Sequence, residues 1–218
     1  MKYNTAVFDL DGTLLDTLGD LRDSVNFALV KNSLPPRSTD EIRAFVGNGI
    51  RLLIERAVPE NTPEKVVDQC FSDFKEHYKN NSAILTKPYD GIIDLLKKLK
   101  SSNIKIAVVS NKADFAVKIL VDKYFNGIFD CAFGEKEGIK RKPSPDSVFA
   151  ALKEMDGEAE NAVYIGDSEV DVETSKNAGL PCIAVTWGFR DKRVLESLCP
   201  EYIVDSPTDI LNIIERGN

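Results

Sequence analysis

One histidine, His77, serves the whole 218-residue chain, beside one tryptophan and two methionines. A serine or cysteine hydrolase triad needs a histidine base. That chemistry would have to run through His77, which lies in a helix-like stretch where a structural role is expected. The four cysteines, Cys70, Cys131, Cys182 and Cys199, form no Cys-x-x-Cys pair and have no histidine cluster beside them. This argues against a zinc site and a disulfide framework, and small buried hydrophobes are expected instead. No apolar run approaches the ~20 residues that span a bilayer. Met1-Lys2-Tyr3-Asn4 leads straight into a strand-like run, with no room for a signal peptide, so a cytoplasmic chain is expected. A basic stripe is also missing. The net charge is −7, and the densest basic run is only Lys140-Arg141-Lys142. The expected partner is therefore a small molecule, with no nucleic acid and no membrane, and the chain a monomer or weak homodimer.

What is present is a globular composition. With 43% hydrophobic and 29% charged residues, the chain can fill and cover one large domain, or a domain with an insertion. Three apolar, β-branched runs stand out: Ala6-Val7-Phe8, Ile104 to Val109, and Ala162 to Ile165. Each is followed by a polar tip: Asp9-Leu10-Asp11-Gly12-Thr13, Ser110-Asn111-Lys112, and Gly166-Asp167 with Asp171. From about Pro88 onward, strand-like and helix-like stretches alternate. Further short strands are expected at 129–133, 182–185 and 202–204, with helices near 92–99, 115–124, 146–155, 172–178 and 210–214. Alternation of this length implies right-handed crossovers and a parallel sheet. All three tips would then lie along the carboxyl edge, where open α/β sheets place ligands.

Between the first strand and that alternation the character changes to helical periodicity. Leu18, Leu21, Val25, Ala28 and Leu29 recur at helical spacing. Ser38-Thr39-Asp40-Glu41 reads as a capping box. Thr62-Pro63 reads as an N-cap followed by proline in the first helical position, before the stripe Val66, Val67, Cys70, Phe74 and Tyr78. The predicted fold class is α/β: a doubly wound, Rossmann-like parallel-sheet core over residues 1–16 and 86–218, with a small helical cap inserted at 17–85. A module hinged beside the motif-bearing edge could close over it and exclude water.

The tips carry a consistent chemistry. Asp9, Asp11, Asp167 and Asp171 cannot all stay ionised side by side, because like charges at ~4 Å repel by roughly 4 kcal/mol at an effective dielectric near 20. A hard divalent cation resolves this, and carboxylate and carbonyl oxygens suit Mg²⁺. Ser110 and Asn111, with nearby backbone N–H groups, can hold phosphate oxygens. Lys142, followed by Pro143, is a pinned ammonium that can balance a phosphate–carboxylate cluster. In the insert, Gly47-Asn48-Gly49 could present N–H groups to a substrate carboxylate at a helix start, flanked by Arg43 and Arg51. Trp187-Gly188-Phe189-Arg190 follows the fifth strand with no assigned role.

Taken together, Asp9 to Thr13, Ser110-Asn111, Lys142-Pro143 and Gly166-Asp167 with Asp171 resemble the four motifs of the haloacid-dehalogenase-like hydrolase superfamily. The likeness spans nearly the whole chain. The insert looks like the small helical cap of the branch containing phosphoglycolate phosphatases and β-phosphoglucomutases. Phe45 to Ile50 and Glu55-Arg56-Ala57 look most like the bacterial phosphoglycolate phosphatase cap. The resemblance implies that Asp9 is the nucleophile that forms an aspartyl-phosphate. It implies that Asp11 is the general acid and base, with its carbonyl a metal ligand, and that Asp167 is the third protein ligand, with Asp171 close behind. Ser110, Asn111 and Lys142 would hold the phosphoryl group. The implied activity is Mg²⁺-dependent hydrolysis of a small phosphate monoester, 2-phosphoglycolate first. Nucleotides, pyrophosphate and sugar phosphates remain as alternatives. So does a β-phosphoglucomutase-like phosphotransferase, although residues 14–34 lack the hinge histidine of that branch. A phospho-accepting receiver module uses similar groups but carries no helical insert.

Overall fold

The run Ala6-Val7-Phe8, opened by the β-branched Thr5, shows no polar–apolar alternation, the pattern of a strand covered on both faces. In the computed structural model, which describes residues 3–216, it forms β1 (Thr5–Phe8) with every residue buried. The outermost residues of the expected core segments, 1–2 and 217–218, lie outside the described residues. The chain then passes through β2 (Leu15–Asp16) and four helices, α1 (Leu18–Lys31), α2 (Thr39–Phe45), α3 (Ile50–Ala57) and α4 (Glu64–Asn81), before returning by β3 (Lys87–Pro88). The alternating portion follows: α5 (Ile92–Ser101), β4 (Lys105–Ala113), α6 (Asp114–Phe125), β5 (Cys131–Glu135), α7 (Asp146–Glu154), β6 (Ala162–Gly166), α8 (Glu169–Ala178), β7 (Cys182–Val185), α9 (Lys192–Ser197), β8 (Tyr202–Val204) and α10 (Pro207–Arg216).

Six strands form one parallel sheet in the order β5-β4-β1-β6-β7-β8. The chain moves outward from β1 to β4 and β5, then returns to lay β6 on the other side of β1. Strand order therefore reverses at β1, and the carboxyl end of β1 is the switch point where such sheets bind ligands. In register, Val7 lies opposite Ala107 and Tyr164. One face of this layer is closed by Val148, Ala151 and Leu152 of α7.

The chain divides into two compact units, Met1–Leu15 with Pro88–Asn218, and Asp16–Lys87. The second unit has its own core. Leu21, Val25 and Ala28 of α1 and Val67, Cys70, Phe74 and Tyr78 of α4 are buried, and Phe74 stacks on Tyr78 with centroids 5.1 Å apart. The Ser38–Glu41 capping box forms in both directions. His77 stacks on Phe27 and bonds the Ser24 hydroxyl at 3.0 Å, a structural role. Cys70, Cys131 and Cys182 are buried and free, and Cys199 is exposed. Among the described residues no helix is long and apolar enough to cross a membrane.

Three local differences from the sequence reading have simple causes. β4 continues to Ala113 rather than ending at Val109, and its ladder with β5 shifts between those residues. Ser110, Asn111 and Lys112 are thus strand residues set at an irregularity, not a loop beyond the strand. The α4 N-cap is Pro63 itself, one position later than the expected arrangement, and the Thr62 hydroxyl turns back to Pro59 O. α9 was not anticipated: it is six residues long and buries only Leu195, too little for any periodicity.

Candidate active site

Asp9 directly follows β1, and its N–H still donates to Ile165 O at 2.9 Å, so it continues the central ladder. The chain must then turn sharply. Gly12 adopts φ +90°, and a Cβ there would overlap the Asp167 carboxylate. Leu14 and Leu15 N–H groups both return to Leu10 O. The turn is closed on the far side by Gly188, whose missing Cβ leaves room for Asp167 and for Gly12 O.

Lys142 reaches into this edge. Its Nζ donates to Asp9 Oδ1 and Asp171 Oδ1 at 2.7 Å each, and to the Tyr164 phenol at 3.0 Å. An ammonium has three N–H donors, and these contacts use all three. Asn111 braces the lysine's backbone: its Oδ1 accepts the Lys142 N–H at 2.8 Å and its Nδ2 donates to Lys142 O at 3.0 Å. Asp171 binds on both oxygens. Oδ1 accepts from Lys142 and, at 3.1 Å, from the Tyr164 hydroxyl. Oδ2 accepts the N–H groups of Asp167 and Ser168 and the Ser168 hydroxyl, the last at 2.6 Å. Asp167 is oriented by the Thr13 hydroxyl on Oδ1 and by the Phe189 N–H on Oδ2 at 2.7 Å. Ser110 Oγ accepts the Lys112 N–H at 3.2 Å, and Lys112 Nζ donates to both oxygens of Asp11.

The electrostatics follow from burial. Asp9, Asp167, Asp171 and Lys142 are all buried. Burial raises the Asp9 carboxyl to about 7, with Asp171 and Asp11 adding to the rise and Lys142 opposing it. Burial likewise raises Asp167 well above the usual carboxylate range, reinforced by Asp171 and Asp9. For Lys142 burial works against the charge, but Asp171 and Asp9 outweigh it and hold the ammonium firmly protonated. One ammonium is too little positive charge for this set. Asp9, Asp167 and Asp171 each offer an oxygen within 4.8 Å of the others, a buried all-oxygen donor set that fits a hard cation. Asp171 accepts five hydrogen bonds on its two oxygens, against one on each oxygen of Asp167 and one on Asp9 Oδ1, which makes Asp9 and Asp167 the better placed carboxylate ligands. The Asp11 carboxylate belongs to Lys112, so Asp11 could contribute to a metal only through its backbone.

The structure brings Asp9, Asp11, Ser110, Asn111, Lys142, Asp167 and Asp171 to one sheet edge. Gly47, Asn48 and Arg51 belong to the separate helical unit. There Gly47 and Gly49 adopt φ +125° and +83° in the turn leading into α3. The Arg51 guanidinium is engaged by Glu55, Glu64 and Asp68, so reading a substrate carboxylate would require those pairs to open. Contacts that the sequence reading did not assign are those of Lys112, Tyr164, Thr13 and the Phe189 N–H. Lys112 carries a signal in retrospect: it extends the polar tip Ser110-Asn111 by one residue at the end of an apolar strand. Tyr164 sits mid-strand among apolar neighbours and carries none.

A doubly wound sheet whose switch point holds a buried acid cluster bridged by lysine defines an α/β core with its candidate site at the carboxyl edge of the central strand. The chain belongs to the haloacid dehalogenase-like hydrolases, whose family model matches residues 6–185. It is 33% identical over 211 residues to a phosphoglycolate phosphatase of Aquifex aeolicus, covering 96% of both chains. It is 33% identical to phosphoglycolate phosphatase 1 of Pseudomonas aeruginosa, covering 97% of this chain and 79% of that one. A solved structure from Lactobacillus delbrueckii subsp. bulgaricus, proposed to be a phosphoglycolate phosphatase, superposes with a TM-score of 0.93 at 36% identity, covering 98% of this chain and 99% of that one. The enzyme is a phosphatase, a phosphoric monoester hydrolase.

Proposed function

We propose that the enzyme hydrolyses 2-phosphoglycolate, or a closely similar small phosphate monoester, with Mg²⁺ and through an aspartyl-phosphate on Asp9. The observation that carries this reading is the buried set Asp9, Asp167 and Asp171 held around Lys142. Asp9 and Asp167, with the Asp11 carbonyl, would hold the cation. When bound, Mg²⁺ supplies positive charge that keeps Asp9 ionised and offsets repulsion between carboxylate and phosphate.

The rest is the work of side chains. Lys142 grips one Asp9 oxygen and so fixes the carboxylate plane for in-line attack on phosphorus. The covalent intermediate splits one difficult displacement into two easier ones. Ser110 and neighbouring N–H groups hold the phosphoryl oxygens, where charge develops in the transition state. Asn111 acts beside them by bracing Lys142. Asp11 gives a proton to the departing ester oxygen and later takes one from water. The helical unit 16–87 serves as a cap. Its Gly47-Asn48-Gly49 turn, with Arg51 beside it, recognises the substrate carboxylate, and the names of the relatives favour that substrate.

The test is a Mg²⁺ phosphatase screen across 2-phosphoglycolate, nucleoside monophosphates, pyrophosphate and sugar phosphates. The highest kcat/KM is expected with 2-phosphoglycolate, and Asp9→Asn is expected to release no phosphate while remaining folded. Full activity in that variant would overturn the mechanism. A preference for another ester would overturn the substrate.

A further inference from the structure

Lys112 is the second buried ammonium of the site. Its side chain is 2% exposed, against 14% for its partner Asp11, and Nζ donates to the two Asp11 oxygens at 2.9 and 3.1 Å. An ammonium this far from water carries a large desolvation cost, so its position calls for a strong anionic partner. Lys112 also lies two residues from Ser110, the hydroxyl expected to hold phosphoryl oxygens, and its N–H donates to that hydroxyl. Lys142 cannot serve the phosphoryl group as it stands, because its three donors are spent on Asp9, Asp171 and Tyr164. A dianionic phosphoryl group placed at Ser110 would therefore find in Lys112 a neighbouring buried cation held by a carboxylate it can compete with. Its oxygens would attract the ammonium more strongly than a single carboxylate does. Conversely, a carboxylate clamped through both oxygens by an ammonium is not placed to approach an ester oxygen.

We propose that Lys112 is a phosphoryl-binding residue for which Asp11 and the substrate's phosphoryl group compete. As the phosphoryl group settles at Ser110, Nζ passes to one of its oxygens and the Asp11 side chain is released toward the ester oxygen. The lysines thus divide the work: Lys142 holds the nucleophile, and Lys112 couples phosphoryl binding to the freeing of Asp11. This rests on the reading of Asp11 as the residue that exchanges a proton with the ester.

The decisive measurement is calorimetric binding of inorganic phosphate, with Mg²⁺ present, to wild type, Asp11→Asn, and Asp11→Asn/Lys112→Met. The double variant removes both members of the pair, so neither charge is left buried alone. Thermal melts verify that all three proteins are folded. With Asp11 neutralised, no carboxylate at that position competes with phosphate for Lys112, and Asp11→Asn is expected to bind at least as tightly as wild type. The double variant is expected to bind roughly 10- to 100-fold more weakly than Asp11→Asn, the loss of one charge-assisted hydrogen bond. Lys112→Arg in the Asp11→Asn background is expected to recover much of that loss. Equal affinities for Asp11→Asn and the double variant, with wild type still binding, would show that Lys112 only partners Asp11 and would overturn the proposal alone. A folded wild type that binds no phosphate would overturn both the proposal and the phosphatase chemistry beneath it.

Discussion

A carboxyl raised by burial destabilises the fold once it must ionise, and Asp9 is the clearest case. Its folded value is about 7 against an ordinary 3.8, so between those values the folded protein keeps a proton that the unfolded chain releases. Stability from this group is therefore present at low pH and is lost as pH rises from about 4 to about 7. In chelator-treated protein, urea midpoints are expected to fall from about pH 5 to about pH 8, while Asp9→Asn shows a flatter profile. Added Mg²⁺ is expected to restore the wild-type midpoint at the upper end. A wild-type slope equal to that of Asp9→Asn would refute the assignment. The acids themselves were legible in the sequence, because Asp-x-Asp-Gly-Thr and Gly-Asp each follow an unmistakable apolar run. Their partners were less so. Asn111 reads as a phosphate donor by residue type, yet its amide is turned onto the Lys142 backbone. That depends on a strand-to-loop contact across 31 residues, which no local pattern encodes.

At the level of elements, the loop after β7 explains the unassigned Trp187 to Arg190 segment. The Trp187 indole N–H donates to Thr13 O at 3.0 Å. The Phe189 N–H donates to Asp167, and Arg190 makes a two-pronged pair with Glu169 at the start of α8. The segment thus clamps both the first turn and the Asp167 carboxylate, and it can lie this close only because residue 188 has no side chain. Gly188→Ala is expected to displace Asp167 and weaken divalent-metal affinity by roughly tenfold, the usual scale for a disturbed outer contact. Mn²⁺ titration followed by spin resonance would measure it, and an unchanged affinity would remove this role. Strands were the most readable elements because β1, β6 and the first part of β4 are buried on both faces and read as apolar, β-branched runs. α9 and the extension of β4 were not readable. The first is held by its surroundings rather than by its own sequence, and the second is polar strand stabilised at a ladder shift.

On the scale of the molecule, the chain faces a topological demand: it leaves the first unit after Leu15, builds a second unit, and must re-enter the first at Pro88. The two crossings, β2 and β3, pair with each other but are only two residues long apiece. Such a ladder is too short to be stable alone. Within the second unit Asp20 supplies what it lacks. This carboxylate, 3% exposed on the first turn of α1, accepts the backbone N–H groups of Ile84, Leu85 and Thr86 at 3.1, 2.9 and 2.9 Å. It therefore ties the returning segment to the helix that opens the unit. Asp20→Ala would leave those donors without their anionic acceptor. A loss of about 3 kcal/mol is expected, since each bond to a charged group is worth up to about 3 kcal/mol and the exposed Ile84 and Leu85 backbone can recover water. The site at the carboxyl edge of β1 does not use Asp20, so the signature should be regional. Hydrogen exchange at the amides of residues 84–86 is expected to accelerate strongly, while the amides of β1 and β6 keep their protection. Uniform acceleration across both regions would show instead that the two units unfold as one, and that Asp20 secures the whole chain rather than the return of the insert.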